Sequence, residues 1–277
     1  MNWLSVTRGT APLLVSLPHT GTEIPPTIAE RLASLPLARN DTDWWIDQLY
    51  GFAAAMGATV IRTAISRSVI DVNRDPSGQS LYPGQATTGL CPTTSFDSTP
   101  LYRPGAEPDE ADIAARRRDY FDPYHAALSA EIAQLRADHP RIVVYDCHSI
   151  RSVVPRLFEG ELPVFNIGTN DRLTCAPELQ ALVERHCDAS GLSRVSNGRF
   201  KGGWITRHYA DPAEGIHAIQ MEIACRGYMD ERADFEPAAY SSERAAPVRS
   251  VLQRLFADMV EWADQNPPAY PARVNLR

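Results

Sequence analysis

Six short apolar runs, rich in branched residues, recur along the chain: Leu13 to Leu17, Thr59 to Ile61, Val69 to Val72, Ile142 to Tyr145, Val164 to Ile167 and Ala218 to Ile223. Each is too short for a buried helix and reads as a strand. Helical periodicity fills the intervals. Asp43 to Met56 sets Trp44, Leu49, Phe52 and Ala53 at helical spacing, and Asp109 to Ala137 carries Ile113, Tyr120, Tyr124, Leu128, Ile132 and Leu135. Pro177 opens a third helix at its first turn, and Pro247 precedes a stripe of Val251, Leu252, Leu255, Phe256, Met259 and Val260. Strands that alternate with helices predict an α/β fold around a mostly parallel sheet. No linker interrupts the pattern, so one domain over residues 1–277 is expected. The stretch 75–108, dense in Pro, Gly, Thr and Ser, reads as one long ordered loop. Loops beyond about 12 to 15 residues in compact domains are usually functional, which makes this one a candidate wall or lid.

Charge and cysteine usage narrow the function. The formal charge is -7, and of 27 basic residues only Lys201 is a lysine, with no basic stripe for a phosphate backbone. Nucleic acid is not an expected partner. No apolar run reaches the ~18 to 20 residues of a membrane span, and the N-terminus lacks the long apolar core of a signal peptide. A soluble, cytoplasmic protein is expected. Five widely spaced cysteines without a CxxC pair argue for reduced thiols rather than a disulfide framework or a zinc knuckle.

Ligands of α/β sheets bind at the carboxyl ends of the strands, so polar residues there come first. LLVSLPH ends at His19, RIVVYDCHS carries Asp146 and His148, and HAIQMEI holds Gln220 and Glu222. NDTDWW adds Asp41 and Asp43 where a helix begins. Two His and a carboxylate with an open fourth position form the catalytic zinc pattern. The same residues also fit hydrogen-bonded structural His and an Asp helix cap. Glu222 reads either as a buried carboxylate kept for proton transfer or as an outward-facing residue of an edge strand. ISRSVIDVNRDPSG groups Arg67, Asp71, Asn73 and Arg74, where the planar Arg fork suits an acidic ligand, although Arg67 and Asp71 also fit a plain ion pair. NGRFKGGWITRHY adds Arg199, Lys201, Gly202, Gly203, Arg207 and His208. Its glycine pair permits close approach of the backbone to a ligand, or a simple turn.

These residues lie in motifs that resemble the N-formylglutamate deformylase (N-formylglutamate amidohydrolase) family of histidine degradation. PHTGTEIP, NDTDWWIDQLY, SRSVIDVNRDPSG, TTGLCPTTSFD, PLYRPG, YFDPYH, DCHSIRS, PRLFEG, NIGTN, NGRFKGGWITRHY, HAIQMEI and YMDE follow in the family's order from about residue 12 to 231. The resemblance implies a phosphorylase/hydrolase-like α/β fold with a central, mostly parallel mixed sheet, similar to zinc carboxypeptidases and aspartoacylases. It implies a divalent metal, zinc, on His19, Asp43 and His148, and Glu222 as catalytic base. Those relatives take their metal carboxylate from a Glu three residues after the first His, a place filled here by Thr22. Asp43 is therefore the assigned third ligand, with Asp41 and Glu23 next in line. Asn73 and Arg74 match the substrate-binding Asn-Arg pair of aspartoacylases, with Arg67, Arg199 and Arg207 as further cations for the substrate. The implied reaction is N-formyl-L-glutamate plus water giving L-glutamate and formate. Its rivals are another acyl-amino-acid hydrolase or carboxypeptidase of the same fold, and a non-catalytic sensor of acidic amino acids.

Overall fold

The computed structural model describes residues 3–232 and 237–265. Its sheet has seven strands: β1 (Leu4–Thr7), β2 (Leu13–Leu17), β3 (Thr59–Thr63), β4 (Ile142–Ile150), β5 (Phe165–Gly168), β6 (Arg194–Ser196) and β7 (Ile216–Ala224). They are ordered β1-β3-β2-β4-β7-β5-β6. The centre is parallel, from β3 through β2 and β4 to β7, while β1 runs antiparallel to β3 and β5 antiparallel to β7. The helices are α1 (Pro26–Ala29), α2 (Leu35–Arg39), α3 (Ile46–Leu49), α4 (Glu110–Arg116), α5 (Asp122–Asp138), α6 (Pro177–Asp188), α7 (Trp204–Tyr209) and α8 (Ser242–Asp264).

Successive side chains of a strand point to opposite faces, and the apolar runs of β2 and β4 serve both. Leu13, Val15, Leu17, Val143 and Tyr145 pack with residues of α6 and α8. Leu14, Val144 and Ile142 pack with Tyr124, Leu128, Ile132 and Leu135 of α5. In α8, Ala245, Val248, Leu252, Leu255 and Met259 are all buried at alternating steps of three and four. Each fully buried Leu, Val or Met on that seam stabilises the fold by roughly 1.5 to 3 kcal/mol.

Several expectations change. Val69–Val72 is buried but forms no strand; Val69 instead closes a turn on the Ser66 carbonyl at 2.9 Å. An apolar run marks burial, and burial there comes without a neighbouring strand. The helix expected over Asp43–Met56 shrinks to α3 and a 3₁₀ turn at Ala54–Met56, because Trp45 has φ 61°, outside the right-handed helix. Pro247 lies inside α8, which begins five residues earlier with Ser241 as its cap. Asp109 caps α4, and α4 continues into α5 through a π-helical turn at Arg117–Phe121. Between β3 and α4 there is no helix or strand beyond isolated bridges, so the long loop is confirmed. All five cysteines are buried and unpaired. Among the described residues no helix is long and apolar enough to cross a membrane.

Candidate active site

The register of the central strands assembles the site. β4 and β7 pair Asp146 with Gln220 and His148 with Glu222, so all four stand on the same face near the carboxyl ends. β2 adjoins β4, and His19 follows it by two residues. Asp43 reaches the same point because its backbone N–H donates to the His19 carbonyl at 3.0 Å. His19 Nδ1 and His148 Nδ1 are 3.1 Å apart, and Asp43 Oδ2 lies 3.1 Å from the latter and 3.7 Å from the former. One ligand atom from each of the three residues falls within 4.8 Å of the others. The cap role open to Asp43 is not the one it takes: its carboxylate accepts from the Ser149 N–H at 3.1 Å and faces Arg67 at 3.4 Å.

The opposite nitrogens show why these imidazoles suit a metal. His19 Nε2 lies 2.6 Å from Asp71 Oδ1 and His148 Nε2 lies 2.9 Å from Asp146 Oδ2. A carboxylate only accepts, so with an ion bound Nε2 of each ring would donate to its carboxylate and Nδ1 would be left to face the cluster. Asp71 in turn receives Arg67 at 2.8 Å, and Asp146 receives the Ser16 hydroxyl at 3.0 Å and Asn73 Nδ2 at 2.9 Å. Two imidazoles and a buried carboxylate, each held from outside, fit a divalent ion. Burial alone would raise the Asp43 carboxyl, but His148 and His19 outweigh it and hold the group well below the usual carboxylate range. Burial pushes the Glu222 carboxyl up to about 7, against the pull of His148.

Glu222 is on no edge: β7 lies between β4 and β5, and the side chain is 6% exposed. Gln220 accepts the Gly203 N–H at 2.7 Å through Oε1, which turns Nε2 to Glu222 Oε2 at 3.3 Å. The glycine is required there, since a Cβ on Gly203 would fall 2.5 Å from Asn73 Nδ2.

His19, His148, Gly203, Gln220 and Glu222 form the floor of a cavity of about 590 Å³, whose wall includes Arg67, Asn73, Arg74, Tyr82, Thr88 and Arg199. Arg67 and Asp71 do form the ion pair, yet Arg67 also faces Asp43 and the cavity. Asn73 uses Nδ2 on Asp146 and Oδ1 on the Ile205 N–H. Arg74 is held by the Thr88 carbonyl and hydroxyl, both at 3.1 Å, and Arg199 by the carbonyls of Leu157 and Ala86, both at 2.7 Å. Arg207 does not line this cavity; it bonds the Gly202 and Leu81 carbonyls instead. Neither reserve ligand joins the cluster. Asp41 lines a neighbouring cavity of about 510 Å³, where burial raises its carboxyl to about 6, and Glu23 is exposed.

The sequence profile of the N-formylglutamate amidohydrolase family matches residues 11–229. The chain belongs to this family. Within it, the chain is 44% identical to the N-formylglutamate deformylase of Pseudomonas aeruginosa and 42% identical to that of Pseudomonas putida. Each match spans 260 residues, 94% of this chain and 96% of the relative. The fold resembles the crystal structure of N-formylglutamate amidohydrolase from Ralstonia eutropha JMP134, with a TM-score of 0.80 at 23% identity over 95% of this chain and 99% of the other.

Reading strand ends and segments in isolation passes over Tyr82 and Thr88, and gives Asp71 only as a partner of Arg67 and not of His19. Asp146 carried a signal, since it shares the period-2 face of His148. Tyr82 and Thr88 had none beyond their place in the long loop expected to form a wall or lid.

Proposed function

We propose that this chain hydrolyses N-formyl-L-glutamate to L-glutamate and formate with a divalent metal ion, zinc, held by His19, Asp43 and His148. The reading is carried by one observation: two of three converging ligand residues, His19 and His148, and the buried Glu222 line a cavity walled by Arg67, Arg74 and Arg199, with the third, Asp43, fully buried beside the imidazoles. Zinc is favoured because two imidazoles and a carboxylate are a donor set it takes at catalytic sites, with a position left open. The central parallel strands with antiparallel flanks support kinship with zinc carboxypeptidases and aspartoacylases, and the whole chain is read as a single catalytic domain.

When bound, such an ion supplies Lewis-acid polarisation of the formyl oxygen and acidifies water. Glu222, held near neutrality by burial, takes a proton from the attacking water and delivers it to the amide nitrogen as the C–N bond breaks. Asp71 and Asp146 keep the two imidazoles oriented throughout. Arg74 and Arg199 receive the two carboxylates of the substrate, with Arg67 and Asn73 beside them, so the formyl carbon arrives at Glu222 in register. Those cations also offset the repulsion of a dianion by a chain of net charge -7.

Elemental analysis of the purified protein, paired with formate release before and after chelation, tests the reading. Formate release that chelation abolishes and Zn²⁺ restores is expected. Turnover that survives removal of all metal overturns the metal role, and no formate release under any metal loading overturns the activity.

A further inference from the structure

Resting on that reading, we propose that Tyr82 is a positioning residue that fixes the spacing of the two carboxylate-binding arginines, Arg74 and Arg199, and so sets the preference for a dicarboxylate substrate. The loop that carries Tyr82 has no helix and only isolated bridges, so its own backbone does little to hold it against the cavity. Tyr82 supplies the attachment. Its hydroxyl donates to the Gly202 carbonyl at 2.9 Å and accepts the Lys201 N–H at 3.1 Å. The guanidinium carbons of Arg199 and Arg207 lie 5.3 and 4.9 Å from its ring centroid, within range of a cation–π attraction. Arg207 ties the adjacent residue as well, through the Leu81 carbonyl at 3.1 Å. This gives a task to Arg207, which the cavity itself does not use.

The anchored stretch then reaches the two cavity arginines a few residues later. Ala86 accepts Arg199 Nη2 at 2.7 Å, and Thr88 accepts Arg74 Nε on its carbonyl and Nη2 on its hydroxyl. One short segment thus contacts both cations, and its position sets the distance between them. A guanidinium has five N–H groups, and these contacts leave donors on both arginines for a ligand. The floor residues His19, His148 and Glu222, and Asp43 beside them, make none of these bonds. Loss of the anchor should therefore weaken capture of a substrate with two carboxylates and leave the chemical step alone.

The test compares Tyr82→Phe and Tyr82→Ala with the wild type, as full metal-loaded chains, on N-formylglutamate and its monocarboxylate analogue N-formylnorvaline. Tyr82→Phe loses two hydrogen bonds and keeps the ring, so KM for the diacid should rise roughly 5- to 10-fold, with kcat within about 2-fold. Tyr82→Ala also loses the cation contacts and should raise KM roughly 30-fold. kcat/KM for the monocarboxylate analogue, which needs no fixed spacing between two cations, should stay near wild type in both. A change confined to Tyr82→Ala assigns the anchor to the ring and still supports the proposal. If both variants keep the wild-type ratio of diacid to monoacid activity, or lose both substrates equally, the proposal is overturned. Thermal unfolding of each variant separates a loss shared by both substrates from simple misfolding. A wild type that releases no formate overturns the functional reading and this inference with it, whereas an active wild type with unchanged variants overturns this inference alone.

Discussion

On the cavity floor, His19 and His148 follow or end neighbouring strands β2 and β4, and each ring is fixed by a buried carboxylate. On the wall, Arg74 and Arg199 are fixed by backbone and hydroxyl oxygens of a loop without regular structure. Neighbouring strands hold their separation near 4.8 Å, so the floor inherits its geometry from the sheet. The wall depends on individual hydrogen bonds, each of modest net worth. The floor is thereby suited to chemistry, which tolerates little displacement, and the wall to selection among substrates. Changes on the floor should therefore lower kcat, and changes on the wall should act on KM and substrate preference.

Glu222→Gln should have the largest effect. It keeps the shape and removes the proton acceptor, so kcat should fall by roughly 10² to 10⁴ while bound metal and KM stay near wild type. Steady-state kinetics with elemental analysis checks this, and near wild-type turnover would move the base elsewhere. Asp146 is then a poor substitute, because both its oxygens are engaged by Ser16, Asn73 and His148. Arg74→Lys comes next and bears on the wall. It retains the charge but loses the planar fork, so kcat/KM for N-formylglutamate should fall about 30-fold to several thousand-fold. N-formylnorvaline, a monoanion that lacks the side-chain carboxylate, should lose less, and an equal loss on both substrates would erase the distinction between wall and floor.

The same contrast explains what is legible in the sequence. Polar residues inside apolar strands stand out, so His19, His148 and Glu222 were visible, as were the buried runs of β2, β4 and β7. Asp43 needed the family resemblance, since an Asp before a helix has a simpler role as a cap. Strands β1 and β6 were missed because β1 alternates half-buried with exposed residues and β6 has only three residues. Val69–Val72 was misread because its apolar side chains are buried beneath a turn. On the wall, Arg67, Arg74 and Arg199 were legible as cations, but not the oxygens that hold them. Arg207 looked equivalent to Arg199 in sequence, and only the loop packing separates the two.

Asp71 is where floor and wall meet, and its effect should be smaller. One oxygen holds His19 at 2.6 Å, and the other faces Arg67 at 2.8 Å and Arg74 at 3.5 Å. Asp71→Asn keeps the size and removes the charge, so metal affinity should fall about 10- to 100-fold, the usual range for an outer carboxylate on a metal-binding His. Because Arg74 loses its buried counter-charge, KM should also rise, a combined signature that neither region gives alone. Metal titration and KM measured at saturating Zn²⁺ separate the two parts. Unchanged metal affinity would show that the sheet, without its carboxylates, suffices to orient His19.

Outside both regions, the other end of β7 provides a control on pH. Five residues before Glu222, His217 is buried, its Nδ1 accepts the Ala176 N–H at 3.2 Å, and Trp262 packs edge-on at 4.9 Å. Burial, and after it the nearby Arg141 and Arg136, holds its imidazole down at about 4, against an ordinary value of 6.5. Its folded pKa is depressed, so the unfolded chain binds the proton more readily between those values. The stability it contributes is full above about pH 6.5 and is lost as pH falls toward 4. Over that window a shift of this size amounts to about 3 kcal/mol. Glu222 works in the opposite sense, since its folded value of about 7 exceeds its ordinary 4.5 and its burial costs stability as pH rises between them. Urea unfolding of chelator-treated protein at a series of pH values should therefore show the wild type gaining on His217→Gln from pH 4 to 6.5. The same measurement should show the wild type losing ground to Glu222→Gln from pH 4.5 to 7. Activity per folded, metal-loaded molecule should be unchanged in His217→Gln, because that end of the strand touches neither floor nor wall. A difference between wild type and His217→Gln that stays constant across the window would mean that His217 is protonated in the fold.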